Sequence, residues 1–232
     1  MACYSPKIQG TIVTLALFDL DNTLIKGDSD HAWGEFLVSH NLVDANQVRE
    51  ANDKFLLDYQ NGRLDIHEYL RFALQFFANK TPAELAPLHE QFMAEYIEPI
   101  ILPKGLELIK KHADAGHTLV IITATNRFVT GPIAERLGIR HLIACEPEMK
   151  DGRYTGSVTG TPSFQHGKVV RLQQWLEQYD STLEGSYFYS DSHNDLPLLE
   201  QVDHPVAVNP DDRLRAIAQQ HSWNVMDLRG DA

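Results

Sequence analysis

Cysteine is nearly absent: the 232 residues carry two, Cys3 and Cys145. Neither stands in a recognisable Cys/His arrangement, so packing is their expected role. Two thiols make no disulfide framework, and a reducing cytoplasm is the expected compartment. Long hydrophobic runs are absent too. The longest, Ile12 to Phe18 and Thr118 to Ala124, fall far short of the ~20 residues that span a bilayer. The first ten residues lack the basic start and apolar stretch of a signal peptide. Positive charge is scarce: 20 Lys and Arg face 32 Asp and Glu, a formal net charge of −12. That balance argues against nucleic acid or an anionic membrane as the main partner. A small anionic substrate stays open, because cations in a pocket can outweigh the overall field.

What is present is a soluble globular composition, 43% hydrophobic and 22% charged. Residues 15–24, Leu-Ala-Leu-Phe-Asp-Leu-Asp-Asn-Thr-Leu, are the most informative stretch. An apolar run that reads as a buried parallel strand stops on two carboxylates, Asp19 and Asp21. Ligands bind at the carboxyl ends of strands in open α/β sheets. Two acids one residue apart repel unless a cation lies between them. A calcium loop is the competing reading, but Leu24 stands where that loop needs glycine.

Further strand-like runs end at Thr123 and Asp191, with a weaker one at Pro205 to Val208. Helical patterns over Gly105 to Ala115, Pro132 to Leu137 and Lys168 to Gln178 separate them. Alternating strands and helices predict an α/β fold with a Rossmann-like parallel sheet covered on both faces. Residues 28–99 break that rhythm. Three helix starts there pair a polar cap with an acid or amide three residues on: Asp44 with Gln47, Asp65 with Glu68, and Thr81 with Glu84. Pro82 occupies the favoured first position, and Asn61-Gly62 reads as a helix stop. The aromatics Trp33, Phe36, Phe72, Phe76 and Phe77 are expected as bundle core. The division expected is a core of residues 1–27 and 100–232 with a four-helix insertion, 28–99, as a cap. Asp151-Gly152 predicts a hairpin turn.

Thr123 precedes Ala124, Thr125 and Asn126, a hydroxyl beside backbone N–H groups that suits a phosphate oxygen. Lys168 opens a helix against the macrodipole, which calls for an anion or carboxylate nearby. Asp191 and Asp195 are spaced to share one side of a helical turn and add hard oxygen donors of the kind magnesium takes. His193 is a rim residue, since an oxygen-rich site would not select imidazole.

Asp-x-Asp-x-Thr-Leu after the first strand, Thr at the second, an isolated Lys, then Asp-x-x-x-Asp together resemble the haloacid dehalogenase superfamily. The insertion resembles the C1-type cap of its phosphoserine-phosphatase-like branch, and the chain is similar to the subgroup that includes bacterial histidinol-phosphate phosphatases. The resemblance implies Asp19 as nucleophile and Asp21 as general acid and base. It implies Mg2+ on Asp19, Asp191 and the carbonyl of Asp21, with Thr123, Ala124, Lys168 and Asn194 around the phosphate of a small phosphorylated metabolite. It implies Asp195 as an orienter of Lys168 or of the metal's waters. Ser190 and Ala124 stand where the superfamily often has glycine, which narrows backbone approach. Asp28 matches the position that receives a substrate ammonium in phosphoserine phosphatases. Their carboxylate-binding Arg falls at Ala73, with Arg63 and Arg71 elsewhere on the segment. An amine-bearing phosphomonoester without a carboxylate, histidinol phosphate first, is therefore expected over phosphoserine. A phosphotransferase and a non-catalytic phospho-ligand sensor are the alternatives. The presence of both Asp19 and Asp21 disfavours the second.

Overall fold

A computed structural model of the chain describes residues 13–230; Cys3 and Ile12 lie outside the described residues. Leu15, Ala16, Leu17 and Phe18 are all buried and form β1 (Leu15–Phe18). Strand side chains alternate between faces. Leu15 and Leu17 therefore join one apolar cluster, while Ala16 and Phe18 join another across the sheet. Burial on both sides explains the unbroken hydrophobic run.

After β1 the chain leaves the sheet to build α1 (Ser29–Ser39), α2 (Ala45–Gln60), α3 (Ile66–Ala73) and α4 (Pro82–Phe92). The three anticipated caps form. Asp44 accepts from the N–H of Gln47, Asp65 from that of Glu68, and Thr81 and Glu84 bond reciprocally behind Pro82. Asn61 ends α2, and Gly62 takes a φ of +68° that a Cβ would disfavour. Trp33, Phe36, Leu37 and Phe77 pack together and join the same cluster as Phe18, so the cap shares the core's hydrophobic interior. Its entry and exit run side by side. Lys26 N donates to Ile100 O at 2.7 Å, Leu102 N donates to Leu24 O at 3.1 Å, and Ile25 bridges Ile101.

The sheet resumes with β2 (Thr118–Asn126), β3 (His141–Lys150), β4 (Arg153–Thr159), β5 (Tyr187–Ser190), β6 (His204–Val208) and β7 (Asn224–Met226), in the order β4-β3-β2-β1-β5-β6-β7. Every pairing is parallel except β3 with β4. On the Phe18 face lie α5 (Pro103–Asp114) and α6 (Arg127–Arg136). The Leu17 face carries α7 (His166–Tyr179), the short α8 (Leu196–Leu199) and α9 (Asp212–Gln220).

One expectation needs correction. β2 does not end at Thr123 but continues to Asn126, with its register to β3 shifting between Ile122 and Asn126. The Asp151-Gly152 hairpin forms as expected, with both residues at positive φ, and joins β3 to β4 at the sheet's edge. Its β4 reaches the cap, where Asn79 N donates to Tyr154 O and Tyr154 N to Lys80 O. Strands β3 and β7 escaped the sequence reading. The buried part of β3 is only three residues, Ile143–Cys145, and the edge strand β7 has no buried residue.

Candidate active site

The sheet delivers its acids to one edge. Asp19 follows β1 directly, anchored by its N–H to Tyr189 O at 2.9 Å, and Asp191 follows β5, which pairs with β1. The intervening turn is tight. Asn22 takes a φ of +57°, and the N–H groups of Thr23, Leu24 and Ile25 all reach Leu20 O. This lays the Thr23 hydroxyl 3.3 Å from Asp19 Oδ2 and 3.5 Å from Asp191 Oδ1, so one side chain spans two acids from different strands.

Lys168 enters from the first turn of α7 and is almost wholly buried. Its ammonium lies 2.8 Å from Asp19 Oδ1 and 2.7 Å from Asp195 Oδ2, the carboxylates its position called for. Burial by itself would lower the lysine pKa, but Asp19 and Asp195 hold it above the ordinary value. Ser190 Oγ donates to the same Asp195 oxygen at 2.7 Å. The serine in place of glycine therefore adds a bond that fixes Asp195. The short helical turn 193–195 presents Asp195 to Lys168, as expected of an orienter.

Asp21 is gripped from two sides. Its Oδ1 accepts from Ser29 N at 2.6 Å, and its Oδ2 accepts from Thr125 Oγ1 at 3.0 Å and Thr123 Oγ1 at 3.3 Å. Ser29 belongs to α1, so the first cap helix is tied to the acid. Burial, opposed by these bonds, lifts Asp21 to about 6. Burial likewise lifts Asp19 to about 7 against the pull of Lys168, and holds Asp191 well above the usual carboxylate range.

Asp19, Asp21, Thr123, Ala124, Lys168, Asp191 and Asp195 line one cleft of about 360 Å3 between cap and core. The cap contributes Phe55, Tyr59, Leu64, Ile66 and Tyr69. Asp28 lines it too, but is an exposed residue whose Oδ1 caps α1 by accepting from Asp30 N and His31 N. Asn194, expected at the phosphate, is not among the residues lining the cleft. Its Oδ1 accepts from Gln165 and its Nδ2 donates to Tyr59 O at 3.1 Å, which joins the core to the cap. His193 is rim-like: its Nδ1 pairs with Asp211 Oδ2 at 2.7 Å. Arg63 and Arg71 are exposed, and among the described residues no arginine lines the cleft. The remaining described thiol, Cys145, is buried, bonds Ala124 O, and is pushed up to about 12, which leaves it unreactive.

Sequence reasoning passed over Thr125, Tyr59 and Asp30. Thr125 was legible only as part of the strand end, and Tyr59 as one more helical aromatic. Asp30 reads from sequence as an ordinary first-turn acid complementing the helix dipole.

The donor set suits a hard cation. Among the described residues, no three His, Cys, Asp or Glu side chains gather closely enough to ligate one ion. Asp19 and Asp191, sharing Thr23, offer two carboxylates. Magnesium takes one or two carboxylates and keeps several waters, so these residues fit it.

The raised acids set a stability trend. A carboxyl whose folded pKa exceeds its unfolded value of 3.8 stabilises the fold below that value, and the contribution is lost as pH climbs through the folded pKa. For Asp21 and Asp30, both at about 6, and Asp19, at about 7, the window runs from about pH 4 to 7. Carboxylates held low, such as Glu84 and Asp211, titrate below that window, and the imidazoles of His89, His112 and His141, held low by burial, offset only part of the trend by adding stability as pH rises towards 6.5. Metal-free protein should melt about 5 °C or more lower at pH 8 than at pH 5. Magnesium should restore more of the difference at pH 8. Calorimetry reads both, and a melting temperature that rises from pH 5 to 8 would refute the charge balance described.

Comparison with known proteins agrees with this geometry. A family model described as haloacid dehalogenase-like hydrolase matches residues 16–200. A histidinol-phosphatase of Neisseria meningitidis is 48% identical over 93% of this chain and 99% of its own length. A phosphoserine phosphatase of Mycobacterium tuberculosis is 34% identical over 94% of this chain and 72% of its own. Among solved structures, a protein of unknown function from Bordetella pertussis Tohama I superposes with a TM-score of 0.87 at 46% identity, covering 94% of this chain and all of that one.

Proposed function

This chain belongs to the haloacid dehalogenase-like hydrolases as a phosphatase, and from that premise we propose that it cleaves a small phosphomonoester through an aspartyl-phosphate, with magnesium bound. The observation that carries the reading is the meeting of Asp19, clamped by Lys168, with Asp21, held by Thr123 and Thr125, on the floor of one cap-covered cleft. Asp19 attacks phosphorus in line, and the bond from phosphorus to the ester oxygen breaks. Asp21, lifted to about 6, holds the proton that the departing alkoxide takes. It then removes a proton from the water that attacks the acyl phosphate and frees Asp19. Lys168 and the Thr123 hydroxyl stabilise charge on the phosphoryl oxygens. Asp19, Asp191 and the Asp21 carbonyl would hold magnesium, which when bound would supply a Lewis acid against that charge. The cap side chains exclude water and shape the leaving-group pocket.

For the substrate we favour histidinol phosphate. A carboxylate-bearing substrate would bury a charge in a cleft whose basic lining is His31 and the already paired Lys168. The 48% identical histidinol-phosphatase points the same way, and phosphoserine is the competing substrate. Phosphate release should proceed with magnesium, stop in EDTA and recover little with calcium, whose looser coordination lets the attacking carboxylate bind the ion through both oxygens. On one preparation, kcat/KM for histidinol phosphate should exceed that for phosphoserine at least about tenfold, one charge-assisted contact. Phosphoserine turned over faster, or full activity in chelator, would defeat the substrate and metal assignments respectively.

A further inference from the structure

Between the general acid and the cap lies a carboxylate for which the phosphoryl chemistry has no use. Asp30, in the first turn of α1, lines the cleft and is held from both sides. Tyr69 of the cap donates its hydroxyl to Oδ2, and Asn126 donates Nδ2 to Oδ1 at 3.1 Å. The orientation of Asn126 is fixed independently, because its own Oδ1 caps α6 by accepting from Val129 N at 3.2 Å. Its amide can only offer N–H to Asp30. Two of the roughly four acceptor positions of a carboxylate are thus filled, and among the described residues no lysine or arginine forms an ion pair with it. Burial lifts its pKa to about 6.

The register of β2 says where that carboxylate lies. Thr125 bonds Asp21 and its neighbour Asn126 bonds Asp30. In a regular strand, consecutive side chains point to opposite faces. The shift between Ile122 and Asn126 lets both serve the cleft. Asp30 therefore stands beside the acid proposed to protonate the leaving oxygen: both line the same cleft, and the charge of Asp21 adds to the rise of the Asp30 carboxyl.

Resting on the phosphatase reading above, we propose that Asp30, positioned by Tyr69 and Asn126, is the specificity determinant that binds a protonated nitrogen a few bonds from the ester oxygen of the substrate. Asp28, the position that family resemblance singles out, caps the helix at the exposed mouth and plays the lesser part. A fixed anion surrounded by hydrogen-bond donors and aromatic walls prefers a cationic leaving group over a neutral one of the same shape, because only the cation compensates the buried charge.

The test compares 2-aminoethyl phosphate with propyl phosphate, near-isosteres that differ in the amine, on wild type, Asp30→Asn and Asp28→Asn. Wild type should favour the aminated ester. Asp30→Asn should collapse that ratio about tenfold to a hundredfold, mainly through KM, while Asp28→Asn reduces it less. The melting temperature of Asp30→Asn, expected to equal or exceed that of wild type at pH 8, certifies the fold. Titration calorimetry with histidinol plus inorganic phosphate reads the same contact without turnover. Equal affinity in wild type and Asp30→Asn, or a larger effect at Asp28, overturns the assignment. A chain that releases phosphate from neither ester nor from histidinol phosphate, yet loses histidinol binding in Asp30→Asn, would refute the phosphatase reading and keep the subsite.

Discussion

Asp19→Asn should abolish turnover, lowering kcat by at least about 10^4-fold, while the fold survives intact. An amide oxygen is a poor nucleophile, and no other carboxylate can stand in. Asp21 is fixed by Ser29, Thr123 and Thr125, and Asp195 by Lys168 and Ser190. The substitution is sterically silent, and an asparagine oxygen can still accept from Lys168, which also keeps Asp195. Removing one charge from a repelling group of acids should leave the metal-free melting temperature unchanged or raise it at pH 8. Rapid quenching of wild type with substrate should yield an acid-stable, base-labile phosphoryl group on the peptide containing Asp19, and none in Asp19→Asn. Residual activity near wild type would end the covalent mechanism.

Lys168→Met should produce the largest loss of stability of any single change at the site. It leaves Asp19 and Asp195 facing each other in a buried space with no cation between them. Breaking a buried ion pair from one side typically costs about 3–5 kcal/mol, roughly a 6–20 °C fall in melting temperature for a chain of this size. The loss should be greatest near pH 8 and shrink towards pH 5, where protonated carboxyls need no partner. Magnesium should recover part of it through Asp19. Turnover should fall at least about a hundredfold, since the proposed mechanism also has Lys168 stabilise the phosphoryl oxygens. A melting curve unchanged by the substitution at pH 8 would mean that the bonds at 2.7 and 2.8 Å do not hold the acids in solution.

The strands that carry the chemistry were legible because they are buried on both faces. A run such as Leu15 to Phe18 has no other stable place, and its end on Asp19 and Asp21 is a local fact of the chain. The cap helices were legible for a different local reason: Asp44, Asp65 and Thr81 satisfy the N–H groups of their own first turns. The pairing of Lys168 with a carboxylate could be demanded from its place on the helix dipole. Which carboxylate could not, because Asp19 and Asp195 lie 149 and 27 residues away.

Sequence by itself therefore determined the α/β core, the helical insertion, and the residue types at the strand ends. Each of these rests on backbone propensity, periodicity or capping within a few residues. Tertiary structure alone decided that Asn194 serves the cap through Tyr59, that Ser190 steadies Asp195, and that β4 clasps the insertion. It also decided that, of the two acids lining the cleft at the start of α1, Asp30 is held by side chains from α3 and β2 while Asp28 caps the helix. Two acids separated by two positions on one helical turn look alike in sequence. Only the packing of Tyr69 from α3 and Asn126 from β2 against that turn holds Asp30 and leaves Asp28 the more exposed of the two.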